Sequence, residues 1–224
     1  MYSTVREALF GDEDIYAGFP LQEYPLDRHT WGGTDPIFGR LIAEVRPSRI
    51  IEAGTWRGWS AITMARACRE HNVDCREIVC VDTWLGAGTH LVKEPDGTVI
   101  PSPMRTALNR RFGYPRIYDQ FLANVIHTGC HDLIVPFAAP TNMAGSVLRT
   151  IGLQAELIYL DADHSYESVA TDLRSFWPLL APGGVFMAHD YATGFPGCRL
   201  AIDEFSEAHG LTRYVERAWC LLVK

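Results

Sequence analysis

The run Ile50-Ile51-Glu52-Ala53-Gly54-Thr55-Trp56-Arg57-Gly58-Trp59-Ser60 constrains this chain more than any other. Residues suited to a buried strand lead through an acid into a glycine loop, and Ala61 to His71 continues as a helix. Glycines at a strand-to-helix turn let backbone N–H groups close on a ligand, and a dinucleotide pyrophosphate is the usual guest. Glu52 stands immediately before that loop. A carboxylate beside a pyrophosphate is repelled by ~4 kcal/mol per unit pair at ~4 Å and an effective dielectric of about 20. The same carboxylate attracts a cationic ligand.

From residue 49 onward, strand-like and helix-like segments alternate. Strands are expected at Arg49–Ala53, Glu77–Asp82, Asp132–Phe137, Glu156–Leu160, Val185–Ala188, Arg213–Glu216 and Trp219–Val223. Helices are expected at Ser60–His71, Ile117–Ile126, Met143–Ile151, Tyr166–Leu180 and Cys198–His209. Val169, Leu173, Phe176, Trp177 and Leu180 recur at a period of 3.6, and Pro182-Gly183-Gly184 stops that helix. The alternation predicts an α/β, doubly wound, Rossmann-like sheet of about seven strands. It is mostly parallel, with helices on both faces. Only Arg217 and Ala218 separate the last two strands, so these pair antiparallel. Residues 34–224 form the main domain, with a loop insertion at 84–118. Residues 1–33 read as an extension that folds over the site or a neighbouring subunit.

Composition narrows the function. A formal charge of −7 over 224 residues argues against nucleic acid, which demands a basic face. No apolar run approaches the ~20 residues of a membrane span. The six cysteines form no CxxC pair, which suits reduced thiols in the cytoplasm.

In open parallel sheets ligands bind beyond the carboxyl ends of the strands. Glu52, Asp82, Asp161 and His189-Asp190 all fall at such ends. Four acidic strand ends repel one another unless something positive sits among them, which predicts a cationic cofactor, a metal ion, or both. Asp82 suits the hydroxyls of a ribose. That role fits NAD as well as S-adenosylmethionine (SAM), so an NAD(P)-binding oxidoreductase stays open. Against it stand Glu52, the missing third glycine and the 28 residues from Gly54 to Asp82, where a dinucleotide fingerprint expects ~20. A non-catalytic SAM-binding protein also stays open.

The pattern Glu-x-Gly-x-x-x-Gly-x-Ser resembles class I SAM-dependent methyltransferases, above all the catechol and caffeoyl-CoA O-methyltransferases and the sugar O-methyltransferases of antibiotic pathways. So do Tyr159-Leu160-Asp161-Ala162-Asp163-His164 and Pro182-Gly183-Gly184-Val185-Phe186-Met187-Ala188-His189-Asp190. The resemblance implies transfer of the SAM methyl group to a hydroxyl of a small molecule. It implies cofactor contacts at Glu52, Gly54, Thr55, Trp56, Ser60, Asp82, Thr83, Thr141 and Asp161, with Ser60 on the methionine carboxylate and Thr141 at the adenine. It implies a divalent cation, Mg²⁺ or Mn²⁺, at Asp161, His189 and Asp190, although His189 stands where the family has a carboxylate. His164, three residues past Asp161, is the expected general base, at the position of the family's lysine. Asp163 is expected to cap the helix that follows, and Ser60 its own helix. Trp56, Trp59 and Trp84 either stack near the sulfonium or pack in the core. A homo-oligomer is an open expectation.

Overall fold

Alternating apolar residues give the central strands two buried faces, and each face recruits its own set of helices. A computed structural model describes residues 2–87, 107–192 and 194–224, so the expected loop insertion lies largely outside the described residues. The strands are β1 (Arg49–Ala53), β2 (Glu77–Asp82), β3 (Ile134–Ala138), β4 (Ala155–Leu160), β5 (Leu180–Ala188), β6 (Arg213–Glu216) and β7 (Trp219–Val223). The helices are α1 (Val5–Phe10), α2 (Ile37–Val45), α3 (Trp59–Glu70), α4 (Ile117–His127), α5 (Thr141–Ile151), α6 (Tyr166–Phe176) and α7 (Pro196–Ala208).

The described strands form one sheet in the order β3-β2-β1-β4-β5-β7-β6. Pairing is parallel from β3 through β5, while β7 runs antiparallel to both β5 and β6. The expected fold class is therefore the observed one. On one face Ile50, Ile78, Cys80, Leu157 and Tyr159 pack against α2, α3 and α4. On the other, Ile51, Val79, Ile158 and Phe186 pack against α5, α6 and α7. The change of face falls between the neighbours β1 and β4, which is where an open α/β sheet leaves a crevice.

Three elements differ from expectation. Helix α2 was not expected, although Ile37, Phe38, Leu41 and Ile42 are all buried on one side of it. The helix expected at 166–180 ends at Phe176 and gives way to a 3₁₀ turn, Trp177–Leu179. Pro182-Gly183-Gly184 then lies inside β5, where pairing jumps from Ala155–Leu180 to Leu157–Val185. A β-carbon on Gly184 would lie 2.8 Å from the Glu156 carbonyl, so the sequence punctuates a bulge rather than a helix end.

The first 33 residues include α1 and a 3₁₀ turn at Leu21–Glu23. Glu77 accepts from the amides of Val5 and Arg6 at the start of α1 and pairs with Arg49, in a site where both side chains are almost wholly buried. Further along, the Tyr16 hydroxyl donates to the Ile134 carbonyl. Asp27 pairs with Arg57 and accepts from the indole of Trp59 through its carbonyl. Residues 27–33 thus lie across the glycine loop of their own chain.

Candidate active site

The loop after β1 is shaped by a crossing. Gly54 has φ +88°, and a β-carbon there would lie 2.0 Å from the Asp161 carbonyl. Only glycine fits that approach. The amide of Gly54 donates to Val81 and that of Asp161 donates to Ala53, which ties the tips of β1, β2 and β4 together.

Asp82 holds the loop closed. Its Oδ2 accepts from the amides of Thr55 and Trp56 at 2.9 and 2.8 Å, and its Oδ1 from that of Trp84 at 2.7 Å. Trp56 and Trp84 have φ +53° and +52°, a conformation that costs bulky residues about 1–3 kcal/mol. Three amide donors on one carboxylate offset that cost. Thr83 follows at the rim of a cavity of about 460 Å³ beyond β2 and β3, also lined by Arg111, Tyr114, Arg116 and Ala138.

Glu52 lies beneath the loop with no exposed surface. Hydroxyls of Ser60 and Thr55 donate to it, the latter at 3.1 Å, with the Cys80 thiol 3.6 Å away. Burial raises its pKa from 4.5 to about 8 against those hydrogen bonds. The carboxylate expected to face a ligand ammonium is instead turned inward in this conformation. Ser60, expected to cap its helix, gives its hydroxyl to Glu52, and Gly58 occupies the cap position.

Two of the three tryptophans take the expected core role. Trp59 and Trp84 are buried in the core, Trp84 against Tyr118 and Phe121. Trp56 faces Trp31 of the N-terminal segment, ring centroids 5.2 Å apart.

Beyond β4 and β5 four titratable residues meet. Asp161 Oδ2 accepts from the Tyr159 hydroxyl at 2.8 Å, which leaves Oδ1 free to face the histidines. His164 Nε2 lies 2.7 Å from Asp190 Oδ2 and 3.7 Å from Asp161 Oδ1. His189 Nδ1 lies 3.2 and 3.4 Å from the same two oxygens. The left-handed backbone of Asp190, φ +58°, accompanies this convergence. Both ring nitrogens are closed off from water, and neither has a hydrogen-bond partner of acceptable angle.

Charges in this cluster are strongly coupled. Asp161 and Asp190 raise His164 to about 9 against the effect of burial. Burial would lower His189, but the same carboxylates raise it to about 10. Burial would raise both carboxyls, yet the two imidazoles hold them below their ordinary range. The positive charge that four acidic strand ends demanded is thus supplied partly by this chain's own histidines. Asp161, His164 and Asp190 also bring one donor atom each within 4.8 Å of one another, close enough to share a cation.

Around this cluster stand residues that sequence reasoning missed. Phe195 stacks on His164 with centroids 4.3 Å apart, and Trp219 lies 5.1 Å from His189. A β-carbon on Gly32 would lie 3.7 Å from His189 Nε2, which brings the N-terminal segment to the cluster's edge. Tyr159 alone carried a signal, since it lies two residues before Asp161 on a strand and shares its face. Asp163 accepts from the Ser165 hydroxyl, and Ser165, not Asp163, caps α6. Thr141 opens α5 and holds the buried Asp172 of α6, whose pKa burial raises to about 6. The remaining described histidines lie outside this cluster.

Comparison with known proteins agrees with this fold. The 4'-O-methyltransferase of Streptomyces olivaceus that acts on 8-demethyl-8-(2,3-dimethoxy-alpha-L-rhamnosyl)-tetracenomycin C is 28% identical over 184 residues. That match takes in 77% of this chain and 63% of the relative, so the chain spans a little under two thirds of that protein's length. Mycinamicin III 3''-O-methyltransferase of Micromonospora griseorubida is 25% identical, over 93% of this chain and 81% of its own. The O-methyltransferase NovP has the same fold at a TM-score of 0.60 and 21% identity, over 84% of this chain and 78% of that one. The family model of the methyltransferase domain matches residues 51–191, from the second residue of β1's apolar run to the residue after Asp190. This chain belongs to the methyltransferase domain family.

Proposed function

We propose that this chain transfers the methyl group of SAM to a hydroxyl oxygen of a small molecule, a sugar or sugar-bearing natural product, with a divalent cation at Asp161, His189 and Asp190. One observation carries the reading. A proton acceptor and two carboxylates converge beyond β4 and β5, beside a glycine loop that Asp82 and Glu52 brace. The two curated relatives above are named as O-methyltransferases, one of a rhamnosyl-bearing tetracenomycin and one of mycinamicin III.

SAM supplies, when bound, a methyl group already activated by its sulfonium. A divalent cation supplies Lewis acidity and takes up the charge of the two carboxylates. The orphaned Nδ1 of His189 and the two carboxylates it faces fit such an ion. The chain's own work is to bind, align and exclude water. Gly54, Thr55 and Trp56 shape the cofactor loop, and Asp82 and Thr83 would meet the ribose, Asp82 with the lone pairs that its three amide donors leave. Thr141 would border the adenine. Glu52 acts from below, through Ser60 and Thr55. Once a cation had taken up the charge of Asp161 and Asp190, His164 would lose the proton those carboxylates hold on it, and Nε2 could then take that of the acceptor hydroxyl, with Phe195 stacked on the ring. Residues 27–33 cross the glycine loop and reach the cluster's edge at Gly32, where they would narrow the access of solvent to the reactants.

Free thiols at all six cysteines suit a reducing compartment such as the cytoplasm, and no described helix is long and apolar enough to cross a membrane. The test is transfer of labelled methyl from SAM across a panel of glycosylated natural products. His164→Ala serves as the control. A product labelled on oxygen, lost in the variant, supports the reading. A label on nitrogen or carbon overturns it.

A further inference from the structure

The donor set beyond β4 and β5 is unusual for Mg²⁺, which takes oxygen ligands. Asp161 has one carboxylate oxygen committed to Tyr159 and offers one to the cluster. Asp190 offers Oδ2. The third converging atom is a nitrogen. His189 Nδ1 stands 3.4 and 3.2 Å from those oxygens, and donor atoms bound at ~2.1 Å to one ion stand about 3.0 to 3.4 Å apart. The imidazole is not free to turn away. Its backbone amide donates to Leu160, its ring packs on Trp219, and the Gly32 backbone closes in behind Nε2. His189 Nδ1 is shut off from water and lacks any hydrogen-bond partner of acceptable angle.

We propose that His189 makes this site selective for a nitrogen-seeking divalent cation of the Mn²⁺, Co²⁺ or Zn²⁺ class over Mg²⁺. The inference rests on the reading that Asp161, His189 and Asp190 hold a cation. Mg²⁺ demands near-octahedral oxygen and sheds its water reluctantly. Imidazole is a good ligand for the later metals and a poor one for Mg²⁺. Two carboxylates balance a double positive charge, and the cation would replace the proton that they otherwise hold on His189. His164, close to Asp190 but not midway between the carboxylates, remains outside the shell as proton acceptor.

The test uses the full-length protein stripped of metal, with Mg²⁺, Mn²⁺ and Co²⁺ titrated by calorimetry into wild type and His189→Asp. Carboxylate sites also favour later metals to some degree, so the comparison between the two proteins is decisive. The Co²⁺-to-Mg²⁺ affinity ratio should fall at least about tenfold in His189→Asp, the scale on which a site's supporting residues move metal affinity. With Co²⁺ bound, the wild-type proton spectrum should show a paramagnetically shifted imidazole N–H resonance that the variant lacks. SAM titration of the same samples checks that the variant folds and keeps its cofactor site. An unchanged ratio, a shifted resonance that survives the substitution, or wild-type protein that binds SAM but no divalent ion overturns the proposal. Failure of SAM itself to bind would instead overturn the functional reading beneath it.

Discussion

At the scale of single residues, Glu52 and His164 carry opposite electrostatic problems. Glu52 is an acid without a cation, and burial raises it from 4.5 to about 8. Its folded pKa therefore exceeds its unfolded one. The contribution to stability is full below about pH 4.5 and is lost as pH rises towards about 8. Glu52→Gln cannot ionise. Its ligand-free melting temperature, measured against wild type, should gain progressively between about pH 5 and pH 8.5, and a difference flat in pH would contradict this assignment. A cationic ligand above the loop favours the ionised form, so Glu52→Gln should also weaken SAM by roughly tenfold or more. His164 has carboxylates on hand that raise it to about 9, so it serves as a base only when a cation beside it has taken up their charge. His164→Ala should lower kcat by ~10²–10⁴-fold and leave SAM affinity nearly unchanged. A loss below about threefold would make His164 a packing partner of Phe195 rather than a base.

At the scale of elements, legibility followed local periodicity. The strand, loop and helix at 49–70 were readable because apolar runs, an acid and two glycines each forced a local outcome. The closing antiparallel pair was readable because two residues allow nothing else. Helix α2 was missed although its apolar spacing is regular, and Gly39 within it is a weak helix former. The Pro-Gly-Gly run was misread because a helix stop and a strand bulge use the same residues, and only the jump in register opposite Glu156 separates them. In the site, the convergence of Asp161, His164, His189 and Asp190 was legible as strand ends. That Glu52 faces inward was not, because its partners Ser60 and Thr55 reach it only after the loop closes. Two predictions belong here. Gly54→Ala would drive a β-carbon into the Asp161 carbonyl, so it should abolish SAM binding and lower the melting temperature. Glu77→Ala strips the amides of α1 and leaves Arg49 buried without its carboxylate. Chemical denaturation should show a loss of about 3–5 kcal/mol, and a loss within 0.5 kcal/mol would mean that the pair is solvated.

At the scale of the whole molecule, one sheet separates two tasks. The β1 and β2 ends shape a glycine loop that Asp82 and Glu52 brace, and the β4 and β5 ends gather the acid–imidazole cluster. The crevice between β1 and β4 joins them, and residues 27–33 lie across both. Methyl transfer needs that adjacency, because the sulfonium above the loop must meet an oxygen oriented by the cluster. An NAD(P)-dependent oxidoreductase would need the loop without the cluster. Calorimetric titration of the folded protein with SAM, S-adenosylhomocysteine and NADH separates the two most directly. The account predicts one saturable site for SAM and its product, competitive with each other and weakened in Glu52→Gln, with no heat from NADH. Saturable NADH binding with no SAM binding would contradict it.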